Sequence, residues 1–260
     1  MESNKSITQC EFNKIFTRSV PHILEKIFFS LDYDSFMYCG KVCRAWEALH
    51  SSNSYQQEAK NLWNEKKQNE RYLCEMSHIG DIFEVQRLLN DNVNAQCVKD
   101  KYNNTPLHIA SLKGYPDVVK VLLKFGANAN LENTNNVTPL HNAARKGHYE
   151  VVNILLKEGA VPNKSMKYGF TPLLTASSNG HTNTVELLLD AGADPNMSDR
   201  NGTTPLMQAV VSGYENVVKA LLKKGADPKQ KALRGLRNDS LSLAEWRGRK
   251  NITKLLKDSL

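Results

Sequence analysis

One hexapeptide returns in this chain at a fixed interval of 33 residues. Its first copy, at residues 105–110, is Thr-Pro-Leu-His-Ile-Ala, and variants of it occupy residues 138–143, 171–176 and 204–209. Self-similarity at a single period predicts a solenoid, in which each unit buries its apolar face only against its neighbours. Solenoids of this kind usually serve as binding surfaces.

Each copy of the hexapeptide predicts the start of a helix. The Thr hydroxyl can cap free backbone N–H groups, and Pro at the first helical position gives up a donor that has no partner there. Two residues before each Thr stands a residue type that tolerates the left-handed conformation of a tight turn. These four residues are Asn103, Asn136, Gly169 and Gly202.

A second helix is predicted in every unit by apolar residues at helical spacing. These residues are Val118, Val119, Leu122 and Leu123, then Val151, Val152, Leu155 and Leu156, then Val185, Leu188 and Leu189, then Val217, Val218, Leu221 and Leu222. A glycine follows each group, where a helix C-terminus favours a left-handed residue. The glycines are Gly126, Gly159, Gly192 and Gly225. Four full copies of turn, helix, turn, helix are therefore predicted between Asp100 and about Leu233.

Weaker copies of the pattern flank the four full units. Before them the pattern is matched by Gly80, Val85, Leu88 and Leu89, and after them by Leu241, Leu243, Gly248, Ile252, Leu255 and Leu256. Residues 71–74 replace the hexapeptide in the first of these copies, and the last follows an insertion of two residues. Atypical terminal units are expected, because an exposed apolar end would aggregate.

The period and the hexapeptide resemble those of ankyrin repeats. The resemblance implies an all-α solenoid of helix-turn-helix units joined by β-turns, filling residues 71–260 with about six units, of which the first and last are caps. It also implies that His108 and His141 are structural and bond the backbone of the adjacent turn. Leu174 and Met207 stand at the same position in the later copies, which argues against a shared chemical role.

The sequence lacks motifs that carry catalytic chemistry. It has no Gly-rich phosphate loop and no nucleophile elbow, and none of its seven histidines pairs with cysteines at zinc-finger spacing. Cys39 and Cys43, four residues apart, are attributed to core packing. We therefore predict a protein that is not an enzyme, with no catalytic residue, no metal and no cofactor.

Composition bears on compartment and on partners. No apolar run approaches the roughly 20 residues that span a bilayer, and residues 1–10 lack the apolar stretch of a signal peptide. Five scattered cysteines favour a reduced compartment, so we predict a cytoplasmic location, alone or together with a nuclear one. Residues 1–70 carry nine Lys/Arg against nine Asp/Glu, whereas residues 71–260 carry 25 against 18. This break in charge supports a chain of two parts.

An amphipathic segment precedes the repeats. Its apolar residues fall on one helical face, and a second helical run ends in Val-Cys-x-x-Trp. The segment resembles the F-box, whose helices dock on the adaptor Skp1. The resemblance assigns Skp1 binding to Pro21, Ile23, Leu24, Ile27, Phe28, Leu31, Phe36, Val42, Cys43 and Trp46. It departs from the family pattern at Val20, where Leu is usual, and at Ser35, where Asp is usual. The alternative for this amphipathic two-helix segment is that it caps the solenoid or forms a small independent core.

These assignments divide the chain into a leader at 1–17, the F-box at 18–50, a connecting helix at 51–70 and the repeats at 71–260. An F-box beside a repeat domain resembles the substrate receptors of SCF ubiquitin ligases. The resemblance implies binding to Skp1, and through it to a cullin-RING ligase, while the repeats hold a target protein for ubiquitination. The rival hypothesis is an ankyrin scaffold or inhibitor, one version being a pathogen-encoded mimic, that sequesters a partner without ubiquitination.

The ankyrin pattern also predicts which residues line the concave face. The chief candidates for target binding are basic or aromatic, namely Lys101, Tyr102, Lys113, Arg145, Lys146, Lys167, Tyr168, Phe170, Arg200 and Trp246. Further positions on that face are Asn104, Leu112, Thr134, Asn135, Val137, Ser178, Asn179, Asn201, Thr203, Val211, Ser212 and Arg247. The set contains no acidic residue, so a target with an acidic or phosphorylated segment is predicted. The alternative is a solvated basic face that keeps the protein soluble. No membrane partner is expected, and nucleic acid is not the favoured partner.

Overall fold

The computed structural model describes residues 53–97, 101–233 and 238–260. The predicted leader and F-box, with all ten residues assigned to Skp1 binding, lie outside the described residues. The chain divides into two compact units, Met1–Lys67 and Gln68–Leu260. Within the described ranges there are twelve α-helices and no strand, which confirms the predicted all-α solenoid. None of the helices in these ranges is long and apolar enough to cross a bilayer.

The helices come in six consecutive pairs. They are α1 (Asn53–Ile79), α2 (Ile82–Asn90), α3 (Pro106–Lys113), α4 (Pro116–Lys124), α5 (Pro139–Lys146), α6 (Tyr149–Lys157), α7 (Pro172–Ser178), α8 (Thr182–Asp190), α9 (Pro205–Ser212), α10 (Glu215–Lys223), α11 (Ser240–Trp246) and α12 (Lys250–Asp258). We call the first helix of each pair from α3 onward an inner helix and the second an outer helix. The single helix α1 occupies residues for which the sequence predicts both a connecting helix and the start of the repeats.

The inner helices begin as the hexapeptide predicts. The Thr105 hydroxyl accepts a hydrogen bond from the backbone N–H of His108, and the other three threonines cap α5, α7 and α9 in the same way. Proline occupies the first turn of each of these helices, where its missing N–H costs nothing. Three inner helices end at left-handed glycines, namely Gly114, Gly147 and Gly213.

The core runs without interruption through the stack. The first leucine of every hexapeptide is fully buried, and so are the valines and the first leucine of each outer-helix group, whereas Leu123, Leu156 and Leu222 are partly buried against the core. Burial of this kind couples each pair of helices to the next, because no pair encloses its own apolar face. The largest fully buried side chains on the inner helices are Leu107, Leu140, Leu173, Leu174, Leu206 and Met207.

The cap at the start of the repeats has a pair of thiols in its core. The Sγ atoms of Cys74 in α1 and Cys97, in the loop after α2, lie 3.8 Å apart, and both cysteines are buried and free. The hydrogen bond with Cys74 and burial raise the pKa of the Cys97 thiol, which keeps it protonated. These two cysteines therefore pack as small apolar groups with a weak hydrogen bond between them.

Two sets of hydrogen bonds join neighbouring units. On one side of the stack, Asn130 Nδ2 donates to the carbonyl of Gly159 (2.8 Å), and Asn130 Oδ1 accepts from the N–H of Val161 (2.8 Å). Asn163 and Asn196 repeat this arrangement in the next two units. On the other side, the turns that precede the inner helices bond to one another through their backbones.

Candidate functional site

The turns before the inner helices form a row, and we call them fingers 1 to 4. They comprise residues 101–104, 133–137, 166–170 and 199–203. The N–H groups of Thr134, Lys167 and Arg200 each donate to a carbonyl of the preceding finger, at 2.9, 2.9 and 3.0 Å. Because each finger is tied to the one before it, the side chains at their tips are held at a fixed spacing.

The hexapeptide histidines connect the inner helices to the fingers. His108 Nδ1 accepts from Thr105 (2.8 Å from Oγ1), and its Nε2–H donates to the carbonyl of Val137 in finger 2 (2.9 Å). His141 bonds Thr138 and the carbonyl of Phe170 in finger 3 in the same way. This confirms the predicted structural role. The tautomer is assigned from these partners, since a carbonyl can only accept.

Burial lowers the pKa of His141 to about 4. The imidazole is therefore neutral near pH 7, which is the state that accepts at Nδ1 and donates at Nε2. A neutral, fully bonded histidine neither binds an anion nor relays a proton, so its contribution to the site is to position finger 3.

Fingers 2 and 4 have an internal clasp that finger 3 lacks. Asn133 Oδ1 accepts from two backbone N–H groups of finger 2 (2.9 and 3.1 Å), and Asp199 Oδ1 does the same in finger 4 (2.8 and 2.9 Å). The corresponding residue of finger 3 is Met166, which has no oxygen to accept these bonds. Its backbone N–H still donates to the carbonyl of Phe170 (2.9 Å).

Tyr168, at the tip of finger 3, has a strained backbone. Its φ of +73° is rare for a large side chain, and Gly169 follows it with a φ of +89°. This conformation holds a ring that is 58% exposed. The ring lies 5.9 Å from Lys167 Nζ and 5.7 Å from Arg200 Cζ, so two cations flank it. Strain at an exposed aromatic residue is typical of a functional position.

A groove of about 360 Å³ lies between the fingers and the inner helices. We call it the finger groove. Six of its lining residues belong to the predicted concave face, namely Tyr102, Asn104, Leu112, Asn135, Val137 and Arg145. Seven others are additional, namely His108, Ile109, Asn133, His141, Asn142, Met166 and Thr175. Met166 stands where fingers 2 and 4 have Asn133 and Asp199, and Asn142 stands where the other hexapeptides have Ile109, Thr175 and Gln208. This variation at an otherwise repeated position is the sequence signal that could have identified both residues.

The remaining predicted target-binding residues are placed as follows. Lys101 lies with its Nζ 5.1 Å from the Tyr102 ring, and Lys113 and Lys146 are exposed in the last turns of their inner helices. Phe170 is half-buried. Trp246, 53% exposed, is outside the finger groove and stacks with Arg247 at 4.6 Å. The structure thus brings together Tyr102 with Arg145, and Lys167 with Tyr168 and Arg200, but leaves Trp246 apart.

Two carboxylates described near the fingers already have partners. Glu132 pairs with Lys164 (2.6 Å), whose hydrogen bond holds the pKa of that carboxyl below its usual value, and Asp199 is buried in its clasp. Among the described residues, no carboxylate forms an ion pair with Arg145, Lys167 or Arg200. In the same ranges no group of three or more His, Cys, Asp or Glu side chains could hold a metal ion.

A family model of ankyrin repeats (three copies) matches residues 72–166 and 162–232, which together are more than half of the chain. The chain therefore belongs to the ankyrin-repeat family. Ankyrin repeats give it a role in protein–protein interaction, and proteins of this family are generally non-catalytic adaptors.

Two relatives share short stretches with it. The serine/threonine-protein kinase VIK of Arabidopsis thaliana is 42% identical over 57 residues, which are 22% of this chain and 13% of that protein. The ankyrin repeat-containing protein YIL001W of Saccharomyces cerevisiae (strain ATCC 204508 / S288c) is 47% identical over 55 residues, which are 21% of this chain and 10% of that protein. The matched stretch is thus a small part of each relative.

Proposed function

We propose that the chain is the substrate-recognition subunit of an SCF-type E3 ubiquitin ligase. In this proposal residues 18–50 are an F-box that binds Skp1 and, through it, a cullin-RING ligase. The ankyrin surface holds a target protein. The chain performs no chemistry itself, because its contribution is to raise the effective concentration of the target's lysines near the ubiquitin-loaded enzyme.

The observation that supports target binding is the combination of rings and uncommitted cations on the fingers. Arg145 in the finger groove and the cations beside Tyr168 have no described carboxylate partner. Tyr and Arg dominate binding energy at protein interfaces, and the Arg fork matches carboxylate and phosphate oxygens. The target segment in this proposal is therefore acidic or phosphorylated.

The support for the Skp1 half is the sequence resemblance alone. Ile-Leu, Ile-Phe, Leu and Phe precede Val-Cys-x-x-Trp in the order and spacing of the F-box, between residues 23 and 46. Apolar residues at this spacing predict an amphipathic helix, which has the composition expected for docking against a partner helix rather than for a solvated linker.

Skp1 binding is tested by pull-down with the full-length chain. We expect Skp1 to bind the natural chain and to be lost when Leu24, Ile27 and Trp46 are all changed to Ala. The matched control changes Lys101, Lys113, Arg145 and Lys146 to Glu, which alters the repeats and should leave Skp1 binding intact. Failure of the natural chain to bind Skp1 would remove the ligase proposal.

Target chemistry is tested with acidic and phosphorylated peptides. We expect the same four-residue Glu variant to bind them at least ten-fold more weakly, because it reverses the charge beside the finger groove. A variant with Lys124, Lys157, Lys223 and Lys224 all changed to Glu, in or at the ends of outer helices α4, α6 and α10, makes the same change in net charge and touches no finger. Unchanged affinity in the first variant would contradict the proposal.

Tyr168→Asn separates binding from folding. Asn135 and Asn201 occupy the same position in fingers 2 and 4, and Asn tolerates a positive φ better than Tyr. We expect this variant to be at least as stable as the natural chain and to bind the acidic peptide more weakly. Equal binding would remove Tyr168 from the proposed surface.

The second candidate function is an ankyrin scaffold or inhibitor, a pathogen-encoded mimic included. It requires only the repeats, which are the part of the chain that the family model matches. The two functions differ in whether ubiquitination of the bound target depends on residues 18–49. Proximity labelling with the intact chain and with a chain lacking those residues would identify the target, and its ubiquitination in the two cases decides between the two functions.

We also propose a cytoplasmic location, alone or together with a nuclear one, which imaging of a fluorescent fusion would test.

A further inference from the structure

The positive charge of the chain is concentrated at one end. Residues 219–260 contain 12 Lys/Arg and four Asp/Glu, whereas residues 1–218 contain 22 Lys/Arg and 23 Asp/Glu. The last 42 residues thus carry a net charge of +8 and the rest a net charge of −1. A field this localised attracts polyanions to one place on the molecule.

Helix α12 presents part of this charge to solvent. Its apolar residues Ile252 and Leu256 are buried, and Lys250, Lys254 and Lys257 are exposed on the opposite side, at i, i+4 and i+7. Lys257 pairs with Glu245 (3.0 Å). Among the described residues, Lys250 and Lys254 pair with no carboxylate.

The nearest acidic groups on α10 are already occupied. Glu215 bonds Lys219 (2.7 Å) and accepts from Asn251 Nδ2 (3.3 Å). These bonds lower the pKa of the Glu215 carboxyl, which keeps it ionised and paired. The row on α12 is therefore not neutralised by its neighbour.

A groove of about 600 Å³ lies beside this row. It is lined by Lys250, Thr253, Lys254 and Lys257, with Glu245, Gly248 and Asp258. Trp246, the residue after Glu245, is 53% exposed, and Arg247 Cζ lies over its ring, 4.6 Å from the centroid. Proteins that bind single-stranded nucleic acid combine a positively charged groove with exposed aromatic side chains, and both features occur in this last pair of helices.

We propose that Trp246, Arg247, Lys250 and Lys254 form a binding surface for single-stranded nucleic acid. The lysines neutralise backbone phosphates, and the indole stacks on a base. Lysine acts as a flexible point charge, which suits phosphates whose positions vary along a flexible single strand.

The exposed side of α12 has no apolar residue to enter a lipid interface, which disfavours a membrane. The acidic side chains of a peptide carry no ring to stack on the indole, whereas every nucleotide pairs its phosphate with a base, which favours nucleic acid over an acidic peptide. This surface is separate from the finger groove and does not depend on the proposed ligase function.

The test measures the anisotropy of a labelled 20-nucleotide oligo(U) with the full-length chain over a salt series. We expect the logarithm of the affinity to fall linearly with the logarithm of salt, with a slope of about −1.4 to −2.1, as two or three neutralised phosphates require. Lys250→Glu with Lys254→Glu should weaken binding at least ten-fold. Lys124→Glu with Lys157→Glu makes the same change in charge on other helices and should stay within two-fold.

Trp246→Ala tests the stacking. We expect at least five-fold weaker binding with an unchanged salt slope, because the indole releases no counterion. Three results would each overturn the proposal: no binding of oligo(U), equal losses in the two Lys→Glu pairs, or tighter binding of a Glu-rich peptide of similar charge. Melting curves of all variants establish that they are folded.

Discussion

The first two full repeats and the last two differ at one buried position of the inner helix. His108 and His141 occupy it in the first pair, and Leu174 and Met207 in the second. The histidines bond both their own capping threonine and the next finger, whereas the apolar side chains only pack. Both kinds of side chain support the same helix, so the hydrogen bond is not needed for the fold. The two histidines instead occur where the finger groove lies, and both help to line it.

Truncating His141 should have the largest effect. His141→Ala leaves a cavity and removes the partner of the buried Thr138 hydroxyl and of the Phe170 carbonyl, so we expect a loss of about 3 kcal/mol in the free energy of unfolding. His141→Leu, which copies Leu174, should lose at most about 1 kcal/mol, because it refills the volume. Urea denaturation measures both. Equal losses in His141→Ala and His141→Leu would show that filling the volume of the side chain does not stabilise this position.

Acid should destabilise the half of the stack whose hexapeptides contain histidine. The folded pKa of His141, about 4, lies below the unfolded value of about 6.5, so the unfolded chain binds the proton more tightly between these values. The free energy of unfolding should therefore fall as pH drops from about 6.5 to 4, by up to about 3 kcal/mol from this residue, and His141 should have little effect above pH 7.

The control for that pH dependence is His141→Leu, measured by denaturation over the same pH range. It should bind about one proton fewer on unfolding near pH 5. A pH dependence identical to that of the natural chain would show that other groups cause it.

Leu174→His should transfer the property of the first pair to the second. The capping hydroxyl of Thr171 and the carbonyl of Thr203 correspond in the repeat to the two partners of His141. We expect stability within about 1 kcal/mol of the natural chain at pH 8 and a new loss below pH 6.5. A large loss at pH 8 would mean that finger 4 does not offer its carbonyl as finger 3 does.

The smallest effect should be the same in both halves. Ser111 and Ser177 have buried hydroxyls with no partner among the described residues, at the position where α5 has Ala144. Ser111→Ala and Ser177→Ala should each stabilise the chain by about 0.5–1 kcal/mol in thermal unfolding. Ser178→Ala is the control, because its hydroxyl donates to the Leu174 carbonyl (2.8 Å) and its loss should bring no gain.

Local features of the fold were predictable from the sequence. Thr-Pro starts and left-handed Asn or Gly turns depend on one to four neighbouring residues, so Asn103 and Gly202 could be assigned their conformation without a structure. The role of His108 followed from the ankyrin resemblance. Predictions for residues 1–52 stay predictions.

The candidate site was predictable only in part. The left-handed backbone of Tyr168 occurs in the finger where Met166 replaces the clasping Asn or Asp. It was not expected, because the glycine after Tyr168 already satisfied the turn pattern. Asn142 was missed because it lies one turn deeper on the inner helix than the positions assigned to the concave face.

The sequence by itself determined the period, the starts of the inner helices and the residues that cap them, since these are set by contacts within a few residues. Only the tertiary structure decided which non-repeating side chains share a groove. Tyr102 and Arg145 are 43 residues apart and line the same groove because the stack places finger 1 beside the end of α5. Such neighbours depend on how one repeat packs on the next, and the repeated motif is the same whatever stands at those positions.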